Sequence, residues 1–279
     1  MAQDHKIQQQ RFELKYLIPA GLTHPIRDFV SCYLEPDDYA RANPDLSYTI
    51  HSLYLDSDDL KTHQAALNGT KNRFKLRLRY YNDNPATPVF FEIKRRMDNC
   101  ILKRRCPVRR DAVSLLMVGQ LPGPEQLLSV EPRHLGTLHR FNELLLELNA
   151  RPRMHNRYRR EAWVSRHDNS IRVTFDRQIQ IEPFFEARAV VNMDSPTRVF
   201  SEFVILELKF TTRFPGWFEE LVQHFGLMQF TSAKYSEGVN LLGEHRFRPL
   251  RRVDGFDSVP SRPGPAPGKS RSSVHNCHL

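Results

Sequence analysis

A chain of 279 residues, 40% hydrophobic and 26% charged, holds enough apolar material for a sizeable core, which excludes a disordered or fibrous protein. Its 41 Lys and Arg against 32 Asp and Glu leave a formal charge of +9, so a polyanionic partner is expected: nucleic acid, a phosphorylated metabolite, polyphosphate or an anionic membrane surface. No apolar run approaches the ~18–20 residues of a membrane helix. Residues 1–10 lack the apolar stretch of a secretory leader, and Cys32, Cys100, Cys106 and Cys277 follow neither a disulfide nor a zinc spacing. A cytoplasmic location is the expectation.

The elements follow in chain order. Arg11–Tyr16 reads as a strand, with Phe12, Leu14 and Tyr16 opposite Arg11, Glu13 and Lys15. Pro19–Tyr33 reads as a helix. Ser52–Asp56 alternates again, and a helix is expected over Asp58–Leu67. Phe74–Tyr80 sets Phe74, Leu76, Leu78 and Tyr80 against Lys75, Arg77 and Arg79. Val89–Arg96 sets Phe91 and Ile93 against Phe90, Glu92, Lys94 and Arg96, and in Ile101–Val108 Lys103 and Arg105 share a face. Helices are expected over Asp111–Leu116 and Leu138–Asn149, the latter with Leu138, Phe141, Leu144, Leu145 and Leu148 on one side. Ile171–Asp176 and Ile205–Phe210 return to strand alternation, and Pro215 opens a helix to Phe225.

Residues 251–279 carry Pro260, Pro263, Pro265 and Pro267 without periodicity and read as a disordered tail behind a folded unit of residues 1–250. That tail holds five basic and two acidic residues, so most of the excess charge belongs to the folded part. Its segment Gly264–Ser270 imitates a phosphate-binding loop but has three residues between the glycines where four are needed.

The charged faces carry the functional signal. Glu13/Lys15, Glu92/Lys94 and Glu207/Lys209 repeat one pattern on three strands, and Arg, Lys and Glu crowd out the Ser, Thr and Asn of an ordinary solvated face. A solvated sheet face explains any one strand. A closed barrel with a basic lumen explains the set: like charges repel when the lumen is empty and are satisfied when a polyanion enters. Glutamates among the bases suit a divalent metal bridging phosphate oxygens, which points to phosphoryl transfer. Stacking on nucleobases is not expected, because the aromatics alternate to the face opposite the charges. Trp163 and Trp217 are expected in outer packing. The twelve histidines show no metal-binding spacing.

In this order, Arg11–Ile18, Ile50–Ser57, Lys75–Tyr81, Phe90–Arg96, Ile101–Val108, Arg157–Trp163, Ile171–Asp176, Ile205–Phe210 and Ser232–Gly238 resemble the VTC-type polyphosphate polymerase domain, a branch of the triphosphate tunnel metalloenzymes. The resemblance runs from about Arg11 to Gly243. It implies an α+β fold: an antiparallel β-barrel tunnel of about eight strands with helices packed outside. It implies ATP or another nucleoside triphosphate and polyphosphate as partners, with Mn²⁺ or Mg²⁺ as the metal and no specific nucleic acid. Lys15, Arg77, Arg79, Lys94, Lys103, Arg160, Arg172, Lys209, Ser232 and Lys234 correspond to its phosphate contacts. Glu207 corresponds to its metal ligand, and Glu13 and Glu92 are further metal candidates. Lys15, Arg77, Arg79 and Glu207 are the expected catalytic set. Asp176 is expected to position Arg172, and Asp56 is a minor candidate. Related hydrolases open on E-x-E-x-K, whereas Arg11 stands at the first of those positions here, which favours the polymerase branch. The sensing domain and membrane helices of the longer polymerase chains have no counterpart, so a separate membrane partner is compatible with the sequence. A triphosphate or tripolyphosphate hydrolase on the same fold and a non-catalytic polyphosphate-binding module are the rival readings.

Overall fold

A computed structural model describes residues 12–98, 100–211, 213–230 and 233–248. Ten strands and seven α-helices lie among them. In chain order these are β1 (Phe12–Pro19), α1 (Thr23–Ser31), β2 (Glu35–Pro36), α2 (Asp38–Arg41), β3 (Tyr48–Asp56), α3 (Lys61–Leu67), β4 (Asn72–Tyr80), β5 (Val89–Met97) and β6 (Cys100–Val108). There follow α4 (Val113–Met117), α5 (Pro132–Leu148), β7 (Arg151–Val164), β8 (Ile171–Pro183), β9 (Thr197–Val199), β10 (Phe203–Phe210), α6 (Gly216–His224) and α7 (Lys234–Leu242). The expected strands and helices are all present, with shifted ends; β2, α2, β7, β9 and α7 are additions. Arg11, Ser232 and the tail lie outside the described residues.

All the strands join one antiparallel sheet in the order β1-β10-β8-β7-β3-β4-β5-β6, with β2 beside β7 and β9 beside β8. The fold is α+β, as expected. The barrel is not hydrogen-bonded shut, because β1 and β6 remain the two edges of the path. β6 makes a poor partner edge: Lys103, Arg104 and Arg105 are charged, and Pro107 has no N–H to donate. Side chains bridge the opening instead, with Lys94 of β5 donating to Glu13 of β1 at 3.3 Å.

The outer face is apolar and covered by helices. Leu76, Leu78, Phe91, Ile93 and Val108 are buried against Val113 and Leu116 of α4 and Leu138, Phe141 and Leu145 of α5. Phe91 and Phe141 meet at 4.8 Å between ring centroids, and truncating such a buried ring to Ala costs about 3–5 kcal/mol. α5 stops at Asn149, which takes the left-handed conformation (φ 47°) that its short polar side chain tolerates. On the other half of the sheet, Val173, Phe175, Leu206 and Leu208 pack beneath Ile26 and Val30 of α1 and Phe218 and Leu221 of α6. Trp163 is buried in this layer and Trp217 stacks on Tyr33, the outer roles expected of both.

Helix α7 departs from the expected arrangement. Directly paired residues share a sheet face, so Ile50 with Tyr158 and Tyr54 with Met154 place apolar groups on the inner face. These need cover, and Tyr235 and Val239 of α7 supply it from inside. Gly238 permits the approach: a Cβ there would lie 2.7 Å from Ile181 and Met154 side-chain carbons.

Candidate functional site: a basic cavity walled by the sheet

All eight strands of the main path contribute lining to one cavity of about 1280 Å³. Fifteen basic and seven acidic side chains line it. The inward positions follow from register: Lys15 lies opposite Glu207, Lys209 opposite Arg172, Arg77 opposite Glu92, and Lys75 opposite Lys94, which itself pairs with Lys103. Lys15, Arg77, Arg79, Lys94, Lys103, Arg160, Arg172, Lys209, Lys234, Glu13 and Glu207 all line the cavity.

Three carboxylate centres hold these bases. Glu92 is fully buried; Arg77 approaches it at 2.6 Å, Lys103 at 2.7 Å and Arg79 at 3.8 Å. Burial alone would raise the Glu92 pKa, but Arg77, Arg79 and Lys103 outweigh it and hold the carboxyl well below its usual range. Glu207 collects Lys209, Lys234 at 3.4 Å, Arg160 at 3.4 Å and Lys15 at 4.0 Å, and accepts from the Thr174 hydroxyl at 3.3 Å. It too is held well below its usual range against the effect of burial, chiefly by Lys209 and Lys234. Glu13 lies between Lys15 at 3.1 Å and Lys94 at 3.3 Å; burial opposes its ionisation, and Lys94 and Lys15 outweigh burial.

Asp176 has a different role from the one expected. It accepts both arms of Arg160 at 2.6 and 2.7 Å and pairs with Lys234 at 2.6 Å. Arg172 pairs instead with Asp37, at 2.6 Å, because α2 brings that residue to the rim of the cavity. Asp56 is buried outside the cavity lining: it accepts from the Thr62 and His63 amides at the start of α3 and from the Tyr235 hydroxyl at 2.9 Å. It ties α7, and with it Lys234, to the end of β3.

Lys75 is an inward base of β4 whose neighbours on the strand, Arg77 and Arg79, have a carboxylate that it lacks. Its ammonium donates to Ser236 Oγ at 3.2 Å and lies 5.3 Å from the Tyr235 ring centroid. Among the described residues no carboxylate forms an ion pair with it. Burial, then Lys15, Lys94 and Arg73, push its pKa down to about 7, with only a weak pull from Asp56. Burial likewise brings Lys209 down to about 8 although Glu207 opposes it. Lys75 sits on the charged face read from the sequence, but that pattern carries no sign of which base lacks a counter-ion.

The aromatics also depart from expectation. Tyr48, Tyr54, Tyr81 and Tyr158 line the cavity, and Tyr158 accepts from Arg79 at 3.1 Å. The Tyr-x-Arg spacing of Tyr158 and Arg160 shows them on one face once β7 is recognised as a strand.

No group of three or more His, Cys, Asp or Glu side chains that could hold a metal occurs among the described residues. The donor set still suits a hard cation bound partly by substrate. Mg²⁺ is commonly held by one or two carboxylates plus phosphate oxygens, and Glu13 and Glu207 lie diagonally across β1 and β10 with Lys15 between them. No helix among the described residues is long and apolar enough to cross a membrane.

No curated protein sequence matches the chain. A candidate adenylate cyclase from Bacillus halodurans aligns over 81% of this chain and 94% of its own, with 12% identity and a TM-score of 0.46. The Schizosaccharomyces pombe Mediator head module provides a chain that aligns over 84% of this one and 94% of its own, with 9% identity and a TM-score of 0.34. The family profile of the VTC domain matches residues 10–243, the whole span of the sheet and the helices that cover it. The chain belongs to the VTC domain family.

Proposed function

We propose that this protein is a polyphosphate polymerase-type phosphotransferase, acting on ATP and a polyphosphate chain within the cavity, and that residues 1–250 carry the activity. The observation behind this reading is the convergence of bases from strand after strand on one cavity, where Lys15, Arg77, Arg79, Lys94, Lys103, Arg160, Arg172, Lys209 and Lys234 are each held by an internal carboxylate that a phosphate oxygen can replace.

Lys15, Arg77, Arg79, Lys94, Lys103, Arg160, Arg172, Lys209 and Lys234 bind phosphate oxygens. They fix the donor and the chain end in line and offset their mutual repulsion, which is most of what phosphoryl transfer requires. A terminal phosphate oxygen of the chain attacks the γ-phosphorus of ATP. The bond from that phosphorus to the β,γ-bridging oxygen breaks, and ADP leaves with the electron pair. Arg77 and Arg79 sit side by side along β4, where they neutralise charge on the equatorial oxygens. Glu207 with Glu13 would hold a divalent cation, Mn²⁺ or Mg²⁺, which supplies further neutralisation of phosphate charge. Glu92, caged by three bases, serves as counter-ion to Arg77 and Lys103.

The test is product sizing. Purified protein given ATP and Mn²⁺ should form polyphosphate, and R77A/R79A should abolish it while remaining folded. Release of orthophosphate alone would refute the polymerase reading in favour of a hydrolase. Polyphosphate binding without turnover would leave only a binding module.

A further inference from the structure

One sector of the cavity rim is aromatic. Tyr39 of α2, Tyr48 of β3 and Tyr81 just beyond β4 all line the opening. Tyr39 and Tyr81 are nearly parallel, 7° between planes and 6.1 Å between centroids; Tyr48 lies 5.6 Å from Tyr39 and 6.3 Å from Tyr81. Phe90 extends the group, edge-on to Tyr81 at 6.1 Å with the Arg105 guanidinium 4.7 Å from its centroid.

Tyr39 is 65% exposed even with Tyr48 and Tyr81 beside it. Its mount is firm. Asp37 accepts from the Ala40 amide at 2.8 Å, from the Tyr48 hydroxyl at 3.2 Å and from Arg172 at 2.6 Å, and the Asp37 amide donates to the Ala162 carbonyl at 2.9 Å. An exposed ring on a short helix held by three elements is presented to the opening, not trailing from a loose loop.

Inorganic polyphosphate has no use for such a surface, because it offers neither an apolar nor a planar group. A ligand with a planar aromatic part joined to a polyanion fits both halves of the site. The two halves are adjacent: Tyr48 is paired in register with Arg160, and its hydroxyl lies 3.4 Å from Arg172. Neighbouring strands are about 4.8 Å apart, so the rings sit one or two strand spacings from the bases that would hold the phosphates.

We infer that Tyr39, with Tyr81 and Tyr48 beside it, forms a nucleobase subsite that stacks the base of a nucleoside triphosphate while its phosphates enter the basic cavity. This rests on the phosphate-binding reading above and adds to it the part of the donor recognised outside the triphosphate. Stacking is tolerant of base identity because every base has a π face. Adenine and guanine donors should therefore bind alike, and pyrimidine donors somewhat more weakly because the smaller ring stacks over less area.

The experiment compares ATP with inorganic tripolyphosphate by calorimetry on the full-length wild type, Y39A and Y39F, in one Mg²⁺-containing buffer. A base–aromatic stack corresponds to roughly a 5- to 150-fold difference in affinity. Y39A should lose ATP affinity within that range while holding tripolyphosphate within about twofold of wild type, and Y39F should bind both as wild type does. Unchanged ATP affinity in Y39A, or equal losses for both ligands, overturns the base subsite and leaves the phosphate cavity standing. A wild type that binds neither ligand overturns the cavity reading itself and the subsite with it.

Discussion

Lys75 gives the most direct test of how the empty cavity is balanced. It is a buried-side ammonium facing Lys15, Lys94 and Arg73 with no carboxylate of its own, and its pKa falls from 10.5 to about 7. At about 1.4 kcal/mol per pH unit, the fold disfavours its charged form by on the order of 4–5 kcal/mol. The unfolded chain keeps this lysine protonated up to about pH 10.5, so the wild type bears the penalty near neutral pH and sheds it as pH rises from about 7 towards 10.5. K75M removes the amine and keeps the stem. With some of the penalty relieved by water in the cavity, the variant should be about 2–4 kcal/mol more stable than wild type at pH 6.5 without ligand. For a domain of this size that is roughly 5–15 °C in melting temperature. The gain should fall below about 1 kcal/mol near pH 10, where the folded wild type holds Lys75 neutral. Calorimetric melts of both proteins across this pH range provide the measurement. A variant less stable than wild type at pH 6.5, or a gain that does not change with pH, would refute the account of Lys75 as a repelled cation.

Ligand binding should reverse that balance. A polyanion raises the Lys75 and Lys209 pKa values from about 7 and 8, so tripolyphosphate binding at pH 8 should take up protons and weaken as pH rises; titrations in buffers of different ionisation enthalpy detect the uptake, and zero uptake contradicts it. E207Q should cost about 3–5 kcal/mol in EDTA, because Lys209, Lys234, Arg160 and Lys15 lose a shared anion. Tripolyphosphate should then raise the melting temperature of E207Q more than that of wild type; an equal rise would argue against exchange of phosphate for carboxylate. Glu13, Glu92, Glu207 and Asp176 all ionise below their usual range, so the stability they confer is complete above about pH 5 and lost as pH falls through their folded values. Acid unfolding should therefore take up several protons at once, and a single-proton transition would refute the shared role.

The parts legible in the sequence are those with a local period. Strand alternation is a two-residue rule, so Lys15, Arg77, Arg79, Lys94 and Lys209 could be placed on one face from their spacing alone. β7 hid because it is charged on both faces. Its inner Arg160 faces the cavity, while its outer Glu161 accepts both arms of Arg27 at 2.6 Å and Arg159 pairs with Asp45 at 2.7 Å. Those partners lie more than a hundred residues away, so alternation there marks no apolar side. The same distance problem hid the pairing of bases: Asp176 looks closer to Arg172 along the chain, yet Arg160 on the next strand lies directly opposite it. The rim tyrosine was hidden by brevity, since α2 spans only four residues and shows no periodicity.

If the cavity takes a phosphate chain and a divalent metal, as proposed above, the placement of carboxylates among the bases couples the two. Without ligand, the internal anions prevent the bases from repelling one another, and a base stripped of its anion is costly while a complete pair is close to neutral. A phosphate chain that captures Lys15 and Lys209 leaves Glu13 and Glu207 without part of their cationic shell. Their mutual repulsion, already felt in the folded state, then grows. Under the proposed function, Glu13 and Glu207 would hold a divalent cation that supplies the positive charge the phosphate chain has drawn away. In the empty cavity the lysines occupy that position, and the cation has little to gain. Each ligand would thus improve the site for the other, and linkage requires such coupling to be reciprocal: phosphate should tighten metal binding by the factor by which metal tightens phosphate binding.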